Sequence, residues 1–266
     1  MTQMLIDLAL GNMCFQHKID VKPRAEFMST HAHNVYELIY VINGDLTHTV
    51  EDKKYKLHSG DLVLIRPNTY HLIRIDSSEK DYERINIQFD AEDIQADMSV
   101  IPNTVNVINT TNHTRISGIL SKLDTYAETY EREVFFKMLG GLLTEIVYNI
   151  SLVDSIETRQ ETEASNHVIA QAVAYINKNL YTIRSVDEVA DAIFVTKSCL
   201  FKVFKKELRK GPKRYILDKR LLEAQKLIRS GEKPTSVYEK CGFNDYTTFY
   251  RAYVEFFGYA PSKDAE

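Results

Sequence analysis

Ser185–Lys206, SVDEVADAIFVTKSCLFKVFKK, is the stretch whose reading decides the fold. Ser185 with Glu188 three residues later has the spacing of a capping box, so a helix is expected to begin there. Val186, Val189, Ala190 and Ile193 recur at helical spacing and mark its buried side. After a short turn, Thr196 is a good N-cap for a second helix. In that helix Leu200, Val203 and Phe204 point one way, while Ser198, Lys202, Lys205 and Arg209 point roughly the other. A small residue at Ala190 followed by these apolar positions is the pattern of a helix-turn-helix, whose second helix presents its outer face to the major groove. An ordinary amphipathic pair with a solvated lysine face has the same spacing. The sequence downstream separates the two.

Lys210-Gly211-Pro212 ends one helix and begins another. Residues 213–230 then read as one long helix with Tyr215, Ile216, Leu221, Leu222, Ala224, Leu227 and Ile228 inward, about 25 Å long at 1.5 Å per residue. Gly231 stops it and Pro234-Thr235 opens the next. The opening pattern now recurs: Val189-Ala190 is matched by Val237-Tyr238, 48 residues on, and Leu200 and Phe204 by Phe249 and Tyr253, 49 residues on. The extra residue falls in the turn Gly242-Phe243-Asn244-Asp245, with Asp245 as the expected N-cap. Phe249, Ala252 and Tyr253 face inward there; Thr247, Tyr250 and Arg251 face outward. Two such motifs on a rigid helix suit grooves about 34 Å apart, one turn of B-DNA.

Charge is divided accordingly. Residues 167–266 carry 18 Lys and Arg against 12 Asp and Glu, and the first 166 residues carry 15 against 25. Only the C-terminal part is therefore expected to approach a polyanion. The 266 residues are long enough for two domains, and a composition with 44% apolar and 26% charged residues has no low-complexity tract. No secretory leader opens the sequence and no run of eighteen apolar residues follows, so a soluble, cytoplasmic protein away from membranes is expected. Cys14, Cys199 and Cys241 are odd in number and lack metal-ligand spacing, which suits reduced thiols.

Upstream, residues 35–89 read as short strands. VYELIYVI runs into the turn Asn43-Gly44, LTHTV is followed by Lys53-Lys54 as a turn, and Ser59-Gly60-Asp61 and Pro67-Asn68 are further turns. Ile73, Ile75, Ile85, Ile87 and Phe89 alternate with polar residues as half-buried strands do. Many short strands at close spacing favour a small antiparallel barrel or jelly roll. Residues 91–112 read as an irregular connection. Ile116, Ile119, Leu120 and Leu123 mark one amphipathic helix and Phe135 to Ile150 another, whose wide apolar surface suits either a core or a dimer seam. The acidic DSIETRQETEASN is read as a linker. The expected division is thus 1–153, a linker 154–166, and 167–266. The fold class is α+β in two domains.

His31-Ala32-His33 with Glu37, then Gly60-Asp61, Pro67 and His71, resembles the two motifs of the cupin fold over residues 25–90. Residues two apart share a face of a strand, so His31, His33 and Glu37 are expected to point into the barrel. In metal-dependent cupins such residues hold a divalent ion, so the resemblance admits an enzyme. The cupin-like sensor domains of transcription regulators, which this stretch also resembles, commonly retain HxH without metal, and the histidines then either line a polar pocket or are merely packed. The reading adopted is the polar pocket: His31, His33, Glu37 and His71 bind a small polar effector, with no metal, no other cofactor and no catalysis.

Residues 167–261 resemble the DNA-binding domain of the AraC/XylS family of bacterial transcription regulators. SVDEVA, LFKVFKKELRKGPKRYI, KRLLEAQKLI and KCGFNDYTTFYRAYVEFFGYAP carry the resemblance. It implies a C-terminal all-α domain with two helix-turn-helix motifs behind the cupin-like barrel and its helices. It also implies an effector-responsive regulator, an activator or repressor, that binds double-stranded promoter DNA as a homodimer. Carried over by position, Ser198, Phe201 and Lys202 face bases in the first reading helix, with Lys197, Lys205 and Lys206 beside phosphates. In the second, Tyr246, Thr247, Tyr250 and Arg251 face bases, Arg251 being best placed for guanine. Three departures stand out: Phe194 where glycine is usual, Tyr238 where a small residue is usual, and Val254-Glu255 in place of lysines. They imply fewer phosphate contacts or a wider helix angle in the second motif. Effector binding is expected to change how the barrel domain docks on the DNA domain or on its dimer partner.

Overall fold

The computed structural model of the chain describes residues 2–24, 30–153 and 167–265. The stretch 154–166, read as a linker, lies outside the described residues. The chain forms two compact units. One comprises Met1–Ser29, Val35–Pro67 and Leu72–Glu163; the other comprises Thr30–Asn34, Asn68–His71 and Ala164–Glu266. Sequence reading expects contiguous blocks, whereas 30–34 and 68–71 are grouped with the C-terminal helices.

The first unit contains two sheets. Strands β1 (Thr2–Leu10), β2 (Met13–Asp20), β3 (Tyr36–Asn43), β4 (Leu46–Val50), β5 (Lys53–Leu57), β6 (Asp61–Ile65), β7 (His71–Ile75), β8 (Tyr82–Phe89) and β9 (Val107–Asn109) divide into a six-stranded sheet in the order β1-β2-β8-β3-β6-β9 and a three-stranded sheet β5-β4-β7. Period-two alternation sorts the side chains. Ile39 and Val41 of β3, with Val63 and Ile65 of β6, meet Leu46, Val50, Tyr55, Leu57, Ile73 and Ile75 between the sheets. Leu38, Leu62, Leu64, Ile85 and Ile87 face the other way, into a core shared with three helices. β6 is apolar throughout after Asp61 because both of its faces are covered.

Three local expectations change. The loop between β4 and β5 is Glu51-Asp52, with Glu51 at φ +55°; Lys53 and Lys54 already pair with Val50 and Thr49 in the ladder. The connection after β8 contains β9, because Val107 and Ile108 each find one of the two cores and the segment pairs with β6. The strands also begin earlier than Val35: β1 and β2 form a hairpin whose sequence signal is Gly11-Asn12, with Gly11 at φ +60°. β1 is the edge of its sheet, and its register with β2 slips between Met4 and Ile6, a bulge.

Helices α1 (Thr114–Leu120), α2 (Leu123–Thr129) and α3 (Arg132–Ser151) complete the unit. The single helix expected around residues 116–123 is broken at Ser121-Lys122, yet Ile116, Ile119, Leu120 and Leu123 all reach one core. α3 is long and apolar enough, by length and composition, to cross a bilayer, with a mean hydropathy of 1.2. Its wide apolar side is nevertheless used within the unit, where Phe135, Phe136, Leu139, Leu143, Ile146, Val147 and Ile150 are buried and Phe135 lies edge-on to Phe15.

The second unit contains α4 (His167–Asn179), α5 (Val186–Ala192), α6 (Lys197–Glu207), α7 (Pro212–Arg229), α8 (Pro234–Lys240) and α9 (Tyr246–Phe257), closed by a 3₁₀ turn at Pro261–Asp264. Gly211 caps α7 with Pro212 at its first position, as expected, and Gly231 follows its end at φ +98°. α7 serves two cores. Tyr215 and Ile216 pack with α4, α5 and α6, while Leu221, Ala224 and Ile228 pack with Val237, Phe249 and Tyr253. The three cysteines are free, and burial, reinforced by Glu223 and Glu232, pushes the Cys241 thiol up to about 12.

Asp264 ties the second core shut. Its carboxylate accepts from the Tyr253 hydroxyl, from Arg229 Nε at 2.8 Å and from Gln225 Nε2 at 3.1 Å. Burial pushes its pKa up, but these donors outweigh burial and hold it below the usual carboxylate range. A carboxyl whose folded pKa is depressed stabilises above its unfolded pKa and loses that contribution as pH falls through the folded value. Asp264→Asn is therefore expected to lower stability at pH 7 by about 1–3 kcal/mol and to flatten the loss of stability below about pH 4. Thermal unfolding of both proteins from pH 3 to 7 checks this.

Candidate functional site

The two helix-turn-helix motifs are set by three side-chain caps. Ser185 Oγ accepts from the Glu188 N–H at 3.2 Å, while the Glu188 carboxylate accepts from the Arg184 N–H at 3.0 Å, one residue before the expected partner. Thr196 Oγ1 accepts from the Cys199 N–H and fixes the start of α6. Asp245 Oδ1 accepts from the Thr248 N–H at 2.8 Å and starts α9; that backbone donor holds its carboxyl below the ordinary range.

Capping and burial together fix which side of each helix faces out. In α6, Leu200, Val203 and Phe204 are buried, and Lys197, Ser198, Phe201, Lys202, Lys205 and Lys206 are exposed. Lys197 is 2.8 Å from Asp187, so that lysine is shared with α5. In α9, Phe249 and Tyr253 are buried and Thr247, Tyr250 and Arg251 exposed. Tyr246 differs from the rest: it is half-buried, with its ring 6.0 Å from Tyr238 and 5.8 Å from Phe249. Tyr238 is accommodated by turning its hydroxyl outward to donate to Glu239. Glu255, which stands where lysine is usual, forms an ion pair with Arg214 of α7 at 2.6 Å.

The two turns solve the same backbone problem differently. Phe194 and Gly242, 48 positions apart like the rest of the repeat, are both left-handed, at φ +58° and +77°. Phe194 is 95% exposed, so its Cβ meets nothing but its own backbone strain. A Cβ on Gly242 would instead lie 2.3 Å from the Tyr181 carbonyl oxygen. That close approach is secured by Arg220 of α7, a residue the sequence reading passes over. Its guanidinium donates to the carbonyls of Leu180 at 2.8 Å, Ile183 at 2.6 Å and Gly242 at 2.7 Å. Burial lowers its pKa without discharging it, since a guanidinium starts so high.

The histidine residues arrive by another route. Residues 31–34 are not part of a strand as expected; His31 makes an isolated antiparallel bridge with His71, each N–H donating to the other's carbonyl at 3.0–3.2 Å. The Asn68 N–H donates to the His33 carbonyl at 2.8 Å and closes the same pairing. His31 Nε2 lies 3.0 Å from His71 Nε2, and the His33 ring is centred 5.1 Å from that of His71. Glu37 and His71 start the inward rows of their strands, ahead of Ile39 and Val41 and of Ile73 and Ile75. Nitrogen or carboxylate ligand atoms of His31, His33, Glu37 and His71 all lie within 4.8 Å of one another. Three imidazoles and a carboxylate fit a divalent transition ion. The same groups offer converging donors and acceptors to a hydroxylated ligand. Bound there, an ion would supply a fixed positive charge for an anionic or hydroxyl ligand.

Comparison with known proteins agrees with this architecture. The model of the AraC-like ligand binding domain matches residues 19–123, and that of a helix-turn-helix domain matches residues 189–266. A probable transcriptional regulator LumQ of Photobacterium leiognathi is 24% identical over 88% of this chain and 90% of its own length. The HTH-type transcriptional regulator ArgR of Pseudomonas aeruginosa is 27% identical over 55% of this chain and 46% of its own, and the lactose operon transcription activator of Staphylococcus xylosus 30% over 39% and 37%. The crystal structure of ToxT from Vibrio cholerae matches over 94% of this chain and 96% of its own at 15% identity and a TM-score of 0.37, a likeness too loose to add weight. Fold and relatives together define a DNA-binding transcriptional regulator with a ligand-binding domain. The chain belongs to the AraC family.

The contact at Gly242 gives a local test. Gly242→Ala adds left-handed strain and a clash with Tyr181, so it is expected to cost about 2–4 kcal/mol. Phe194→Gly at the equivalent turn is expected to stabilise the protein slightly. Chemical denaturation of the two variants side by side reads the contrast.

Proposed function

We propose that this regulator reads promoter DNA through both helix-turn-helix motifs and responds to a small polar effector, a sugar or similar metabolite, held by His31, His33, Glu37 and His71. Ser198, Phe201 and Lys202 of α6 read bases, and Lys197, Lys205 and Lys206 hold phosphates. Thr247, Tyr250 and Arg251 of α9 read the second site, and Tyr246 contributes its exposed edge. The protein works as a homodimer. The observation that carries the reading is that the exposed sides of α6 and α9 hold these polar and basic residues while each opposite side is buried in its own core.

One observation favours a second reading. The space between the two sheets is filled by Ile39, Val41, Leu46, Tyr55, Ile65 and their neighbours. A regulator whose barrel only dimerises would have such an interior. The effector reading therefore places the ligand at the histidines, where the inward rows of β3 and β7 begin.

Selection of binding sites from a random oligonucleotide pool by the full chain tests the DNA half. Arg251→Ala is expected to lose about 1–3 kcal/mol of discrimination at one base position. Lys205→Ala is expected to weaken all sequences alike and reduce the salt slope by about one. Thermal shifts against pentoses, hexoses and hydroxy acids, with His31→Ala as control, test the effector half. A shift equal in both proteins would count against the histidines.

A further inference from the structure

His71 has a neighbour that the functional reading leaves unused. Tyr70 is fully buried in the core of the second unit, among Ile176, Leu200, Phe204 and Tyr215. Its ring lies 4.7 Å from that of Tyr215, whose own ring meets Phe204 of α6 edge-on at 5.4 Å. Its hydroxyl donates to Asp218 Oδ2 at 2.6 Å. Asp218 is wholly buried and also pairs with Lys210 at 2.7 Å and with Arg214 at 2.6 Å. Lys210 lies just beyond the end of α6, and its ammonium sits 4.7 Å from the centre of the Tyr70 ring. Asn68 adds a hydrogen bond to Glu223 of α7.

A four-residue segment, 68–71, thus supplies a central aromatic to the core under the first reading helix and a histidine to the ligand cluster. Consecutive residues of an extended chain point to opposite sides, so one backbone carries both. A ligand that changes the spacing of His31, His33 and His71 by more than ring rotation absorbs moves the backbone that positions Tyr70. Packed aromatic contacts do not yield gradually, because interiors are close-packed and respond in discrete steps. The contacts run without a gap from His71 to Tyr70, Tyr215, Phe204 and the backbone of α6.

We infer that Tyr70 is a positioning residue through which occupancy of the histidine cluster sets the order of the first reading helix, leaving the second helix unaffected. This rests on the ligand reading of the cluster given above. Linkage makes the effect reciprocal: an operator engaged by α6 changes affinity at the histidines by the same factor.

Hydrogen exchange of the full chain, with zinc chloride as the probe of the cluster, tests it. In the wild type, bound zinc is expected to change exchange in residues 197–207 at least fivefold while residues 246–257 stay within twofold. Tyr70→Phe, which keeps the ring, retains that response. Tyr70→Ala loses it while zinc still binds, as followed by equilibrium dialysis, and even without zinc it exchanges faster in 197–207 than in 246–257. A zinc response preserved in Tyr70→Ala overturns the proposal, and so does equal exchange of the two helices in the zinc-free variant. Zinc bound to the wild type without any response overturns the proposal alone. A wild type that takes up no zinc overturns the proposal, whereas the polar-effector reading stands or falls by its own thermal-shift test.

Discussion

Three carbonyls held by one guanidinium make the DNA-binding unit a single object. Arg220 reaches from the middle of α7 to Leu180 and Ile183 on the side of the first motif and to Gly242 in the turn of the second. The two hydrophobic cores on α7 are separate clusters, so burial relates the motifs only through that shared helix, and Arg220 adds a direct tie between them. A charged group donating to three backbone acceptors is directional and holds its partners at hydrogen-bond length. Adding a side chain at Gly242 or shortening the one at Arg220 acts on the same joint.

Much of this unit was legible in the sequence because its signals are local. Ser185, Thr196, Asp245, Gly211-Pro212 and Gly231 act within one or two helical turns, and each stands where the sequence reading put it. The outward and inward sides of α6 and α9 followed from a period of 3.6. What escaped was long-range. Nothing near Arg220 or Asp264 announces partners up to forty residues away, and nothing around Tyr70 announces Tyr215. Tyr246 enters among the base-facing positions only through the resemblance, which does not report that Tyr238 leans against it.

The sheets were legible in kind and less so in detail, for a related reason. Alternation in β7 and β8, and the β-branched and aromatic run of β3, gave their existence, yet loop position depends on which residues pair across the ladder, and Lys53 and Lys54 pair with Val50 and Thr49. The histidine cluster came out for a reason different from the expected one. Strand periodicity was to bring His31 and His33 to one face, but the segment is irregular and is placed by its bridge to residue 71. The motif spacing named residues that do converge, because it encodes the closed geometry, whatever secondary structure delivers it.

The slipped register near the start of β1 has a bearing on how the protein behaves at high concentration. An outermost strand displays a row of unsatisfied amide and carbonyl groups, and a straight run of nine residues would be a template for the border of another sheet. The extra residue at position 5 coils the ribbon and puts those groups out of step with any regular neighbour. Fibre growth from this border is thereby discouraged, even though Met4 and Leu5 stand in solvent.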